Sequence, residues 1–224
     1  PLHLRASLQA AGINTKLVIV SACFSGHFIL PFSDDNTVVL TAAAADKTSF
    51  GCEPSRDWTF FGDALFNHAL RSGGSLMGAY SEALNLIAKW ESDVHATWQA
   101  YPAAQRQREP EPAPSNPQSN VGDTAAAAIA KAEAYGAAIA CAGHLTFALD
   151  RAKAGRPLKG LVDTATITSA LTAAQGRANT EGAARNRSPQ DTAKAITVIA
   201  TSALQLFPTQ PAEVATHTTQ CMAP

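Results

Sequence analysis

Lys16-Leu17-Val18-Ile19-Val20-Ser21-Ala22-Cys23-Phe24-Ser25-Gly26 is the stretch that decides the fold. Four bulky apolar residues in a row predict a strand covered on both faces, as in the parallel sheet of an α/β protein. Ser21 and Ala22 then shrink the side chains, and Ser25-Gly26 lets the backbone turn away. Open parallel sheets bind and react beyond the carboxyl ends of their strands. A cysteine at that point faces a crevice, which makes Cys23 the first candidate for chemistry.

Outward from this strand, Leu2 to Ala11 reads as an amphipathic helix with Leu4, Leu8 and Ala11 on one face, closed by Gly12. Downstream, a short apolar segment (Phe28 to Phe32) and the turn cluster Ser33-Asp34-Asp35-Asn36 lead into a second buried strand, Thr37 to Ala42. The order helix, strand, crossover, strand implies parallel pairing with a right-handed connection. Ala43 to Trp58 reads as a polar loop, and helices are expected over Thr59 to Leu70 and Ser75 to Trp90. Pro102, Pro110, Pro112, Pro114 and Pro117, set among Glu, Gln, Arg, Ser and Asn, mark 102–122 as an exposed linker or loop. Twelve alanines within 121–150 open a helical, Ala-rich region. Further helices are expected over Asp163 to Gln175 and Asp191 to Phe207, with poor order over 176–190 and 208–224. The expected division is therefore 1–101, 102–122 and 123–224.

The bulk composition narrows the function. Apolar residues make up 46% of 224, enough for a sizeable core. The balance of 17 basic and 18 acidic residues, net −1, gives no field for nucleic acid or an anionic membrane. The longest apolar run, Tyr135 to Leu149, is shorter than a membrane span needs. Cys23, Cys52, Cys141 and Cys221 form no C-x-x-C pair, which is poor spacing for zinc and too sparse for a disulfide scaffold. A Cys23–Cys52 bridge stays open and would silence Cys23 as a nucleophile. No metal or organic cofactor is expected.

Ser21-Ala22-Cys23-Phe24-Ser25-Gly26 is followed by Val38-Val39-Leu40-Thr41-Ala42-Ala43-Ala44-Ala45-Asp46-Lys47-Thr48-Ser49-Phe50-Gly51-Cys52 and then Trp58-Thr59-Phe60-Phe61-Gly62-Asp63. That order resembles the legumain-like C13 cysteine peptidases, more specifically their bacterial branch. The resemblance runs from about Leu4 to Leu70, with a weaker echo at Ser115-Asn116-Pro117-Gln118 and Gly122. It implies a caspase-like α/β fold with a mostly parallel sheet and flanking helices, a peptide or protein substrate, and Cys23 as the nucleophile. Backbone N–H groups around Cys23 would hold the oxyanion. Ser49 and Asp63 match positions lining the pocket for the residue before the scissile bond, and Ser21 stands where the family has a pocket acid. The family's general base is a histidine in a His-Gly motif ending the preceding strand. The chain starts at Pro1, in what reads as mid-helix, so that histidine is expected upstream of a truncated fragment. His27, four residues after Cys23, is the local substitute; His3, His68, His95, His144 and His217 read as surface or structural. The functional expectation is a cysteine endopeptidase working through an acyl-enzyme, with a non-catalytic caspase-like binding or scaffold module as the alternative.

Overall fold

The computed structural model describes residues 1–53, 56–72, 74–161 and 163–222. The polar loop expected over 43–58 thus lies outside the described residues at 54 and 55, and the expected tail does so at 223 and 224. The chain divides into two compact units, Pro1–Ala130 and Lys131–Pro224.

The first unit opens with helix α1 (Leu2–Ala10) and strand β1 (Lys16–Val20). A 3₁₀ turn, Ser25–Phe28, runs into the single helical turn α2 (Ile29–Phe32) and then strand β2 (Thr37–Thr41). β1 and β2 pair in parallel, Lys16 against Thr37 through Val20 against Thr41. The third strand is β3 (Gln118–Val121), antiparallel to β2 with Val38 opposite Val121, so the sheet order is β1-β2-β3. Every residue of β2 is buried because it alone has a neighbour on each side. Complete burial of Val38, Val39 and Leu40 stabilises the fold by about 1.5–3 kcal/mol per side chain.

Two expectations are corrected here. β1 is not covered on both faces: Leu17 is 41% exposed and the other four residues are half-buried, since β1 is an edge strand of the described sheet. Nor is 102–122 a free linker. It supplies β3, and before that Ser115 O accepts from Ala44 N at 2.8 Å. Sequence periodicity misses this because a four-residue polar strand after prolines carries no apolar alternation. The α/β class holds, with one parallel and one antiparallel pairing.

The segment after β2 is helical from Phe60 but unevenly wound: α3 (Phe60–Gly62), a π-helical stretch Asp63–His68, and a 3₁₀ turn Ala69–Ser72. Helix α4 (Leu76–Gln99) follows, with the Ser75 hydroxyl accepting from Gly78 N as its N-cap. Phe61 and Leu65 pack with Ala79, Tyr80, Ala83 and Ile87 of α4 against Val38 and Leu40. This layer holds β2, and with it the loops leaving the sheet's carboxyl end. By contrast, α1 buries none of its residues fully; on its expected apolar face Leu4 is exposed and Leu8 half-buried. The short α5 (Ala103–Arg106) precedes the strap that leads to β3.

Helix α6 (Asp123–Lys153) leaves the first unit and enters the second. Its 31 residues meet the length and apolarity of a membrane-crossing helix. The apolar run Tyr135–Leu149 is shorter because Glu133 and Asp150 bound it, whereas the helix as a whole continues through them. Beyond Ala130 it packs with α7 (Thr164–Ala183), α8 (Pro189–Leu206) and α9 (Pro211–Gln220) around Leu145, Ile167, Leu171, Ile196 and Val214. Most of 176–190 and of 208–222 is therefore helical, where poor order was expected. Ser188 caps α8 by accepting from Asp191 N, with Pro189 in the first turn, so the helix starts before the expected Asp191. A disulfide joins Cys141 to Cys221, 80 residues apart. Four scattered cysteines are too sparse for a disulfide scaffold, and their spacing cannot register a single pair brought together by helix packing.

Candidate active site

β1 ends at Val20, and the chain turns through Ser21 and Ala22 to Cys23, which is half-buried. Phe24 then adopts a left-handed conformation, φ 58 and ψ 19. For a bulky residue this is a true outlier, strained by about 1–3 kcal/mol, and such strain gathers at functional turns. The kink has a clear partner: Phe24 N donates to Lys47 O at 2.8 Å. One residue on, the buried Ser25 hydroxyl accepts from Ala43 N at 3.0 Å. The elbow after β1 is thus fastened to the loop after β2 at two points.

That loop returns to the sulfur. Ser49, itself buried, donates its N–H to Cys23 Sγ at 3.3 Å, and its carbonyl lies 3.8 Å from the same atom. The left-handed Gly51 (φ +82) follows, and Phe60 N donates to Phe50 O at 3.0 Å. Cys52 lies near enough to Cys23 for the two thiols to interact. Its thiol is pushed above the ordinary range, first by loss of solvent and then by the neighbouring Cys23 sulfur. Both cysteines are free, so the bridge left open by the sequence is not formed.

Of the expected site residues, Cys23 and Ser49 are in contact. Ser21 is one step removed: its hydroxyl shares a 2.9 Å hydrogen bond with Thr59 Oγ1, which also accepts from Gly62 N. Asp63 starts the next turn, its N–H donating to Thr59 O, but its carboxylate points elsewhere. It accepts from Asn67 Nδ2 at 2.9 Å and pairs with Arg56 at 3.6 Å and His68 at 3.9 Å. None of these described partners is Cys23, Ser21 or Ser49. His27 is exposed on the 3₁₀ turn, and His3 is exposed on α1. The described hydrogen bonds of Cys23 include no histidine. The backbone N–H of Phe24, one of the donors expected to serve an oxyanion, is already engaged by Lys47.

Thr59 and Cys52 were missed as site residues. Thr59 could have been found as a helix N-cap before Phe60-Phe61-Gly62; Cys52 has no local signature. Beside Phe50 a cavity of about 790 Å³ opens between α4 and the 111–117 strap, lined by Ile87, Glu91, His95 and Pro114. Glu91 is buried there and accepts from the amide of Ser115 at 3.1 Å as well as from its hydroxyl.

Cys23 is thus a half-buried thiol at the carboxyl end of a parallel strand, with a main-chain donor on its sulfur. Residues 2–95 of the 224 match the model of the peptidase C13 family. The match covers β1, β2, the loops between them and most of α4, and at the level of the family it points to cysteine peptidase activity. No curated protein and no solved structure matches the chain.

Proposed function

We propose that the first unit is the nucleophile-bearing part of a legumain-like cysteine endopeptidase of the caspase-like fold. The observation that carries this is the placement of Cys23, held by Phe24 and Ser25 at the mouth of the β1–β2 pair with the Ser49 amide 3.3 Å from its sulfur. Cys23 attacks the substrate carbonyl carbon; the C–N bond breaks, the amine leaves with a proton, and a thioester remains. Water then cleaves the thioester, releasing the acid and regenerating the thiol. The base that handles these protons is an imidazole, which is not among the described hydrogen-bond partners of Cys23.

Ser49 and Ser21 serve as pocket hydroxyls for the residue before the scissile bond. Asp63, tied to Arg56, Asn67 and His68, contributes by holding the pocket wall, and meets a substrate only if Arg56 releases it. The recess beside Phe50 offers apolar surface to substrate residues further along the chain.

In the native protein, Cys23→Ala should lower peptide hydrolysis by roughly a thousand-fold or more, because removing a nucleophile eliminates the covalent route. Undiminished hydrolysis by that variant would end the proposal and leave the non-catalytic binding module as the better reading.

A further inference from the structure

We infer that Cys52 is a second reactive thiol of this site, and that Cys23 and Cys52 are joined by a reversible disulfide when a hydroperoxide reaches them. The inference rests on the peptidase reading only in taking Cys23 as the nucleophile. Three observations converge on it. The Ser49 N–H and carbonyl both touch the Cys23 sulfur, and Cys52 lies only three residues further on. Gly51 makes the turn between them: a Cβ there would lie 2.9 Å from Phe60 N, so the chain folds back tightly. The fold-back leaves Cys52 near enough to Cys23 for the two thiols to interact. Neither is committed elsewhere, and Cys52 is exposed.

The chemistry balances without help from another protein group. The Cys23 thiolate attacks one peroxide oxygen; an S–O bond forms, the O–O bond breaks, and the other oxygen leaves as water or an alcohol. The sulfur has lost two electrons to the peroxide and is now a sulfenic acid. Cys52 gives up its proton and attacks that sulfur; the S–S bond forms and hydroxide departs with the proton as water. A dithiol reductant returns the two electrons and restores both thiols. Because the Cys52 thiol is pushed up, it stays protonated near neutrality and acts as the second, resolving sulfur, and closure quickens as pH rises. The disulfide protects Cys23 from further, irreversible oxidation while blocking its attack on substrate.

The test is to treat the native protein with hydrogen peroxide, cap free thiols with iodoacetamide, and map disulfides by non-reducing digestion and mass spectrometry. The expected result is loss of alkylation at both cysteines and a Cys23–Cys52 linked peptide within one molecule, reversed by dithiothreitol. The Cys141–Cys221 peptide serves as the internal reference for a linked pair. In Cys52→Ser, Cys23 should instead be trapped by dimedone as a sulfenic acid and pass on to sulfinic acid that dithiothreitol does not reverse. Cys23 sulfinic acid in the unmodified sequence with no link to Cys52, or a link formed only between two molecules, would overturn the inference. The readout does not depend on hydrolysis, so it stands apart from the Cys23→Ala assay: either can fail alone.

Discussion

At Gly26 a hydrogen atom stands where any side chain would collide with main chain. A Cβ built there would sit 2.3 Å from Ala45 N and 2.7 Å from Ala44 C, and backbone on that side cannot swing away as a flexible side chain can. Gly26→Ala should therefore push the elbow after β1 off the loop after β2. The expected loss is about 1–3 kcal/mol of stability, read as a lower urea midpoint with little change in slope. On the proposed peptidase function, hydrolysis should fall with it, because the same shift withdraws Cys23 from Ser49. Much of this was legible in the residues themselves: a shrinking strand end, a thiol, then Ser-Gly. What could not be read was which partner each takes. Ser25 meets Ala43, Phe24 meets Lys47 and Cys23 meets Ser49, all pairings across 18 to 26 residues of chain. No local pattern encodes contacts at that separation.

Among the elements, the 111–117 strap shows how a proline-rich segment is held without regular structure. Its anchor is Glu91, buried on the inner side of α4 and accepting from both donors of Ser115. Glu91→Ala would leave the buried Ser115 amide unsatisfied, at a cost of about 1–3 kcal/mol. The expected sign is faster amide hydrogen exchange over 111–121, since β3 follows directly on the strap. Unchanged exchange there would mean that β3 holds the strap by itself. The sequence rendered β2 and the first part of α4, because an apolar run in a strand and an apolar stripe on a helix are strong signals; α4 continues past the expected Trp90 to Gln99, where the apolar stripe fades. It failed on β3, whose Gln118-Ser119-Asn120-Val121 is polar and whose existence depends on the open side of β2. The uneven winding after Phe60 was equally hidden, since residues 60–70 read as one helix by periodicity.

Over the whole molecule, the second unit carries the pH dependence that can be stated with a sign. The rings of His144 and His217 meet at 5.5 Å, and His144 Nδ1 is buried with no hydrogen-bond partner among the described residues. Burial, and then the nearby His217 charge, hold the His144 imidazole below its ordinary range. The unfolded chain, at about 6.5, binds the proton more readily than the folded one, so stability is full above that pH and declines as acidity increases toward the folded value. Thermal unfolding should thus begin earlier at about pH 5 than at about pH 7.5, and His144→Leu should flatten the difference. An equal shift in both proteins would assign the acid sensitivity to other groups.

The Cys141–Cys221 bond turns the intervening stretch into a covalent ring that takes in α7, α8 and α9. A protease that nicks any connection inside that ring severs the polypeptide without releasing a piece. The nicked chain would migrate intact on a denaturing gel until its cystine is reduced, and only then separate into two bands.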